Sequence, residues 1–312
     1  RYPDWELIVV DNGSSDGTPA FVRGISQCDP RVRLLSLECN IGPAAARNAG
    51  AREAQGSIFA FLDNDTVVDP DWLTGIVSAL GHDPAVGACQ CKLLLERHPD
   101  QIDYVGDYLG QFGFLVQRAD HGTPDRGQFG QRVEIFTAKS AAMGIRREAF
   151  ETAGGFDPDY FIYVEETDLG WRAWLQGYRI VFAPDSVVFH AFGTSRVILG
   201  QHQLYLLRFH GAKNYVATLL KNLGTAAAWR IIPLHVALWL GLAAYQIAAR
   251  RPKQGLYIME GLWWCWAHHR QLLAKRRDIQ QRRKITDERL LPIIMRRRGF
   301  SYFVRKARAQ AG

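Results

Sequence analysis

The chain has 312 residues, 47% of them hydrophobic and 22% charged, enough to bury a core in one large domain or in one domain with an appendage. That composition excludes a disordered or low-complexity protein. The net charge of +7 hides an asymmetry: residues 250–312 hold 17 Lys and Arg against 4 Asp and Glu, whereas residues 1–249 are net acidic.

In chain order, the apolar, β-branched run 6–10 reads as a buried strand, broken by the turn-forming stretch 11–18. A helix is expected from Pro19, a strand over 32–37, an Ala-rich helix over 44–54 and a further strand over 57–62. Strands alternating with helices at this spacing predict an α/β fold with a mostly parallel sheet, whose ligands bind beyond the carboxyl ends of the strands. A helix over 72–80 and a strand over 86–95 follow, then an excursion over 97–132 that has no clear period. The second half repeats the pattern: strand into helix over 140–150, helix over 168–176, strand over 179–184 and a strand over 186–189 that ends at His190. From residue 204 the pattern is long helices, including the nearly continuous apolar run 226–249, interrupted by Pro233, His235 and Gln246. That run is borderline for a spanning helix. Trp263, Trp264 and Trp266 followed by Lys/Arg clusters suit a helix lying in a membrane interface, and a buried helical hairpin is the alternative. Two regions are therefore expected, 1–200 with halves 1–96 and 133–200, and a helical, basic, membrane-associating region 201–312.

Acids fall at the ends of elements. Asp11 follows the first strand, where it suits a nucleobase or ribose contact or, equally, an Asx-turn. Asp63 and Asp65 flank Asn64 at the tip of the strand 57–62, which suits Mg²⁺ or Mn²⁺ carrying a phosphate, or a capped turn. Glu165, Glu166 and Asp168 cluster before a helix behind Phe156, Tyr160, Phe161 and Tyr163; one member suits a general base, and helix-dipole complementation is the plainer reading. His190 can ligate a metal or contact a diphosphate, and Arg47 can reach a phosphate; a packed histidine and a solvated arginine are the defaults. Five cysteines (Cys28, Cys39, Cys89, Cys91, Cys265) lack paired metal-site spacing and point to a reduced compartment. No cleavable leader is visible at the polar start.

The segments VVDNGSSDGT (9–18), NIGPAAARNAGAREAQGSIFAFLDNDTVVDPDWL (40–73) and GGFDPDYFIYVEETDLGWRAWLQGYRIVFAPDSVVFH (154–190) carry a resemblance. Over about residues 5–200 the chain resembles the family-2 inverting glycosyltransferases of GT-A fold, in the bacterial surface-polysaccharide, rhamnosyltransferase-like branch. The resemblance implies a UDP- or dTDP-sugar donor bound by Asp11, Asn12, Ser14, Gly42, Arg47, Asp63 and Asn64. It implies Mg²⁺ or Mn²⁺ on Asp65 with Asp63 and His190, and Glu166 as base beside Glu165 and Asp168. It further implies in-line displacement onto a glycan or lipid-linked acceptor at the cytoplasmic face of the membrane. Departures are Glu166 where members commonly carry Asp, Ser140 where many carry Gly, and the lack of an additional first strand upstream. A catalytically incomplete nucleotide-binding module is the competing expectation. Nucleic acid is not an expected partner, because the aromatics of the basic segment cluster as an apolar surface and not as spaced stacking platforms.

Overall fold

The structure is a computed structural model that describes residues 1–191 and 194–309; the Phe192-Gly193 step after His190 lies outside the described residues. The chain opens with β1 (Leu7–Asp11), α1 (Thr18–Cys28), β2 (Val32–Ser36), α2 (Pro43–Glu53) and β3 (Ile58–Leu62). Pro19 and Pro43 sit in the first turns of α1 and α2, where the missing N–H has no intrahelical partner to lose. β4 (Thr66–Val68), α3 (Trp72–Leu80) and β5 (Val86–Leu95) follow. The excursion resolves into β6 (His98–Tyr104), β7 (Asp107–Gly110), β8 (Leu115–Gln117) and β9 (Thr123–Pro124). Then come β10 (Ala142–Arg146), α4 (Arg147–Ala153), α5 (Glu165–Leu175) and β11 (Arg179–His190). The C-terminal third is α6 (Thr194–Asn222), α7 (Thr225–Ala248), α8 (Pro252–Ala267), α9 (His269–Arg282), α10 (Asp287–Ile294), β12 (Met295–Arg296) and α11 (Phe300–Ala309).

The α/β alternation holds, but the main sheet is mixed where a mostly parallel one is expected. Its order is β3-β10-β5-β11-β4, with β6 on β5 and β9 on β6, and among the described residues only β5 and β11 run parallel within it. The physical reason is connection length. β5 passes to β6 through a short turn, which permits only antiparallel pairing, since parallel neighbours need a long crossover. β1 and β2 form a separate parallel pair, and β12-β7-β8 a third small sheet. β11 is one strand through a bulge between Ala183 and Val187, which merges the two strands expected there.

The region after residue 200 is not a separate core. Leu219, Leu223, Ile231, Ile279, Leu290 and Ile294 share one buried cluster with Phe136, Trp171 and Phe182. Lys221 of α6 is buried and pairs with Asp157 at 2.6 Å and Asp168 at 3.0 Å.

Candidate active site

Two groups of side chains converge around the turn 63–65, between β3 and β4. The first is organised by Arg47 on α2, whose half-buried guanidinium donates to Asp63 Oδ1 at 2.7 Å and to Glu165 Oε1 at 3.0 Å. It joins the turn to the acids of α5. Glu165 and Glu166 lie in the first turn of α5, not ahead of it, so favourable alignment with the helix dipole is part of their placement. Burial, then the adjacent Glu166 carboxylate, push the Glu165 carboxyl well above its ordinary range, against the pull of Arg47. Oε2 of each glutamate is buried with no partner among the described residues, leaving two acceptor atoms open. Asp168 is not brought to this group. It is fully buried, held below the usual range by Lys221 and Arg172 despite its burial, and bonded to Arg172 and Asn222. Its place is the α5–α6 interface, a correction to its expected role beside the base.

The second group is built by register. β4 pairs with the end of β11, His190 opposite Thr66, and this sets Asp65 Oδ1 3.4 Å from His190 Nε2. β6 folds back on β5 and carries Asp103 to the other ring nitrogen, Nδ1, at 2.8 Å. Asp103 also takes His121 Nδ1 at 3.0 Å. Burial pulls the His190 pKa down, but the carboxylates on both sides outweigh it and raise it to about 9. Asp103 is held well below the carboxylate range by the two histidines in spite of its burial. Beyond it, Asp107 is buried, accepts from Tyr104 Oη at 2.6 Å and Thr137 Oγ1 at 3.0 Å, and is pushed up to about 7, chiefly by burial. Among the described residues no three His, Cys, Asp or Glu side chains converge on one point as a complete metal cage.

The expected nucleotide-side residues lie on the loops at β1 and α2. Asp11 is buried and accepts from the backbone N–H of Ser14, three residues on, at 3.2 Å, which closes the start of the loop. Asn12 ties that loop to the next, donating to Asn40 Oδ1 at 3.0 Å and accepting from Ile41 N–H at 3.0 Å. Gly42 holds φ +82° against Phe161; a Cβ there would stand 2.6 Å from the Phe161 ring, so only glycine fits. The side chains of Ser14 and Asn64 are exposed.

The segment before α5 is strained. Phe161, Tyr163 and Val164 have φ of 57°, 66° and 68°, unfavourable for bulky residues and worst for a β-branched one. Asn214 of α6 holds it: Nδ2 donates to the carbonyls of Tyr160, Ile162 and Tyr163 at 3.0, 2.9 and 2.7 Å. Sequence reasoning missed Asn214, Asp103 and His121. The first sits in a helix assigned elsewhere, and the other two lie in the aperiodic stretch 97–132.

Comparison with known proteins adds the following. Residues 1–154 match the family model described as Glycosyl transferase family 2. O-antigen biosynthesis protein RfbC of Myxococcus xanthus is 33% identical over 204 residues, 63% of this chain and 16% of that protein. N-acetylglucosaminyl-diphospho-decaprenol L-rhamnosyltransferase of Mycobacterium tuberculosis is 31% identical over 211 residues, 59% of this chain and 66% of that one. The chain thus spans less than two thirds of either relative. A structure of GalNAc-T7 with UDP, GalNAc and Mn²⁺ superposes with a TM-score of 0.50 at 16% identity, covering 79% of this chain and 52% of that one.

Proposed function

The chain carries a glycosyl transferase family 2 domain on a GT-A fold, and from that premise we propose that it moves a sugar from a nucleoside diphosphate, UDP or dTDP, to a hydroxyl of a glycan or lipid-linked acceptor with inversion. The observation that carries this reading is the convergence, around the turn 63–65, of the Asp65–His190 pair with the Arg47-held glutamates.

The residues present fit a divalent metal. One carboxylate and one imidazole form part of a shell for Mg²⁺ or Mn²⁺, ions that take their remaining oxygens from phosphate and water. Asp103 behind Nδ1 holds the ring so that Nε2 faces Asp65, the arrangement in which a histidine serves as a ligand. When bound, the metal would neutralise charge on the departing diphosphate. The remaining work falls to this chain. Asp11 and the loop tied by Asn12 and Gly42 receive the nucleoside, and Arg47 orients Asp63 and Glu165. Glu165, held at Oε1 by Arg47 with its carboxyl pushed up by burial, stands beside Glu166, whose unpartnered Oε2 takes the proton of the acceptor hydroxyl.

The outer faces of α7 and α8 support a location on an anionic membrane surface at the cytoplasmic face. Trp229, Tyr245, Leu256, Met259, Trp263 and Trp266 are all exposed there, beside Arg250, Arg251 and Lys253.

The test is Asp65→Ala. Mn²⁺ binding in the presence of nucleoside diphosphate, read by electron paramagnetic resonance, and metal-dependent turnover of a nucleotide sugar should both be lost. Undiminished turnover in EDTA would sink the metal assignment.

A further inference from the structure

One cavity among the described residues belongs to neither group above. It has a volume of about 360 Å³ and is lined by Tyr108, Arg118, Phe129, Arg296, Arg297 and Arg298, with no carboxylate in its wall. Three of these come from the aperiodic excursion, Tyr108 on β7 and Arg118 and Phe129 after β8, and three from the segment at β12, which docks beside β7 in parallel register. Asp107 and Tyr108 are successive residues of β7 and project to opposite faces. Asp107 turns to Tyr104 and Thr137; Tyr108 turns to the cavity. The cavity is therefore on the reverse side of this strand from the Asp107 carboxyl.

The guanidiniums are positioned by rings and carbonyls. Arg118 lies 4.8 Å from the Phe182 ring centroid and 5.5 Å from that of Phe129, and donates to the Val105 carbonyl at 2.7 Å. Arg296 lies 4.2 Å over Tyr108 and donates to the carbonyls of Ile293 and Met295 at 2.9 and 2.8 Å. Asp120, two residues past Arg118, is already matched by Lys306 and Arg305. Four like charges gather in one concavity with no carboxylate in its wall, and burial lowers the pKa of Arg118. Planar guanidinium forks match phosphate oxygens in pairs, and the two rings supply apolar walls.

We infer that this cavity is a phosphate or diphosphate site, separate from the donor site. The inference does not depend on the transferase reading. The anion can be soluble or the headgroup of a lipid diphosphate, and both present the same oxygens.

Inorganic diphosphate titrated into the full chain, without divalent metal or nucleotide, should show one saturable site by calorimetry. Arg297→Gln with Arg298→Gln, both exposed, should weaken it about tenfold or more. The double Lys variant should retain part of the affinity, and an unchanged melting temperature would show that the fold is intact. Arg47→Gln should leave it unaltered. Phosphatidylcholine vesicles with and without a polyprenyl diphosphate separate the sources. Recruitment that needs both the lipid diphosphate and the arginines supports a lipid headgroup; binding of free diphosphate alone supports a soluble anion. Affinity that survives the double Gln variant, or that disappears with Arg47→Gln, overturns the site.

Discussion

At the scale of the residue, Glu165 and Glu166 are chain neighbours with different surroundings. Glu165 is buried and faces Arg47, and its carboxyl is pushed up by burial and by Glu166. Glu166 is half-buried and keeps one oxygen free of partners among the described residues. The difference predicts different costs. Glu166→Gln should lower turnover by about 10²-fold or more with donor affinity little changed, the size of effect expected for a lost general base. Glu165→Gln preserves a hydrogen-bonding neutral group and should cost less. Steady-state kinetics with a fixed donor would check this, and a crippled Glu165→Gln beside a mild Glu166→Gln would reverse the assignment. The acids were legible in the sequence because carboxylates at element ends need a partner. Their division of labour was not, since adjacent residues acquire different burial only from what packs around them.

At the scale of the element, the segment 161–164 matters most. Three residues in the left-handed region cost about 1–3 kcal/mol each and persist only where other contacts over-determine them. Asn214 supplies those contacts across α6, and Gly42 leaves room for the Phe161 ring. Asn214→Ala should therefore destabilise the fold by about 1–3 kcal/mol, because buried carbonyls lose their donor. It should also lower turnover more than donor binding, as the glutamates that follow the segment lose their fixed position. Denaturant unfolding with activity measured in parallel would show both, and an unchanged unfolding free energy would mean the segment is held elsewhere. The regular strands and helices were legible from period and turn chemistry, as β1, β3 and α2 illustrate. The excursion was not: β6 pairs with β5 through register shifts and returns through short strands, so no period survives in the sequence.

At the scale of the whole molecule, the helical third is both structural support and outer surface. α7 buries Ala227, Ile231, His235, Trp239, Ala243 and Gln246 along one stripe, and α8 buries Gly255, Ile258, Gly261 and Cys265. The opposite face of α8 presents Leu256, Met259, Trp263 and Trp266, the last two tryptophans 62% and 65% exposed. α7 is long and apolar enough to cross a membrane by composition, yet its polar His235 and Gln246 lie on the stripe that packs inward. On the proposed membrane reading, α7 packs against the protein and the exposed face of α8 is the surface to test. Removing everything after Arg250 would delete core residues such as Ile258, Ile279 and Leu290. The cleaner test is Trp263→Ser with Trp266→Ser, which should reduce co-sedimentation with anionic vesicles while leaving the melting temperature unchanged. Binding to the same vesicles should also fall with added salt, since the arginine contribution is screened. Undiminished sedimentation of the double variant would remove this face from consideration.

The amino-acid sequence by itself determined the α/β alternation, the acids at the strand and helix ends and the resemblance that links them, because these depend on short-range patterns of apolar, turn-forming and charged residues. Only the tertiary structure decided that the sheet is mixed, that Asp168 is a buried partner of Lys221, that Asp103 backs His190, and that four arginines from distant segments share one cavity. Each of these depends on strand register or on the docking of segments far apart in the chain, and neither leaves a local period to read.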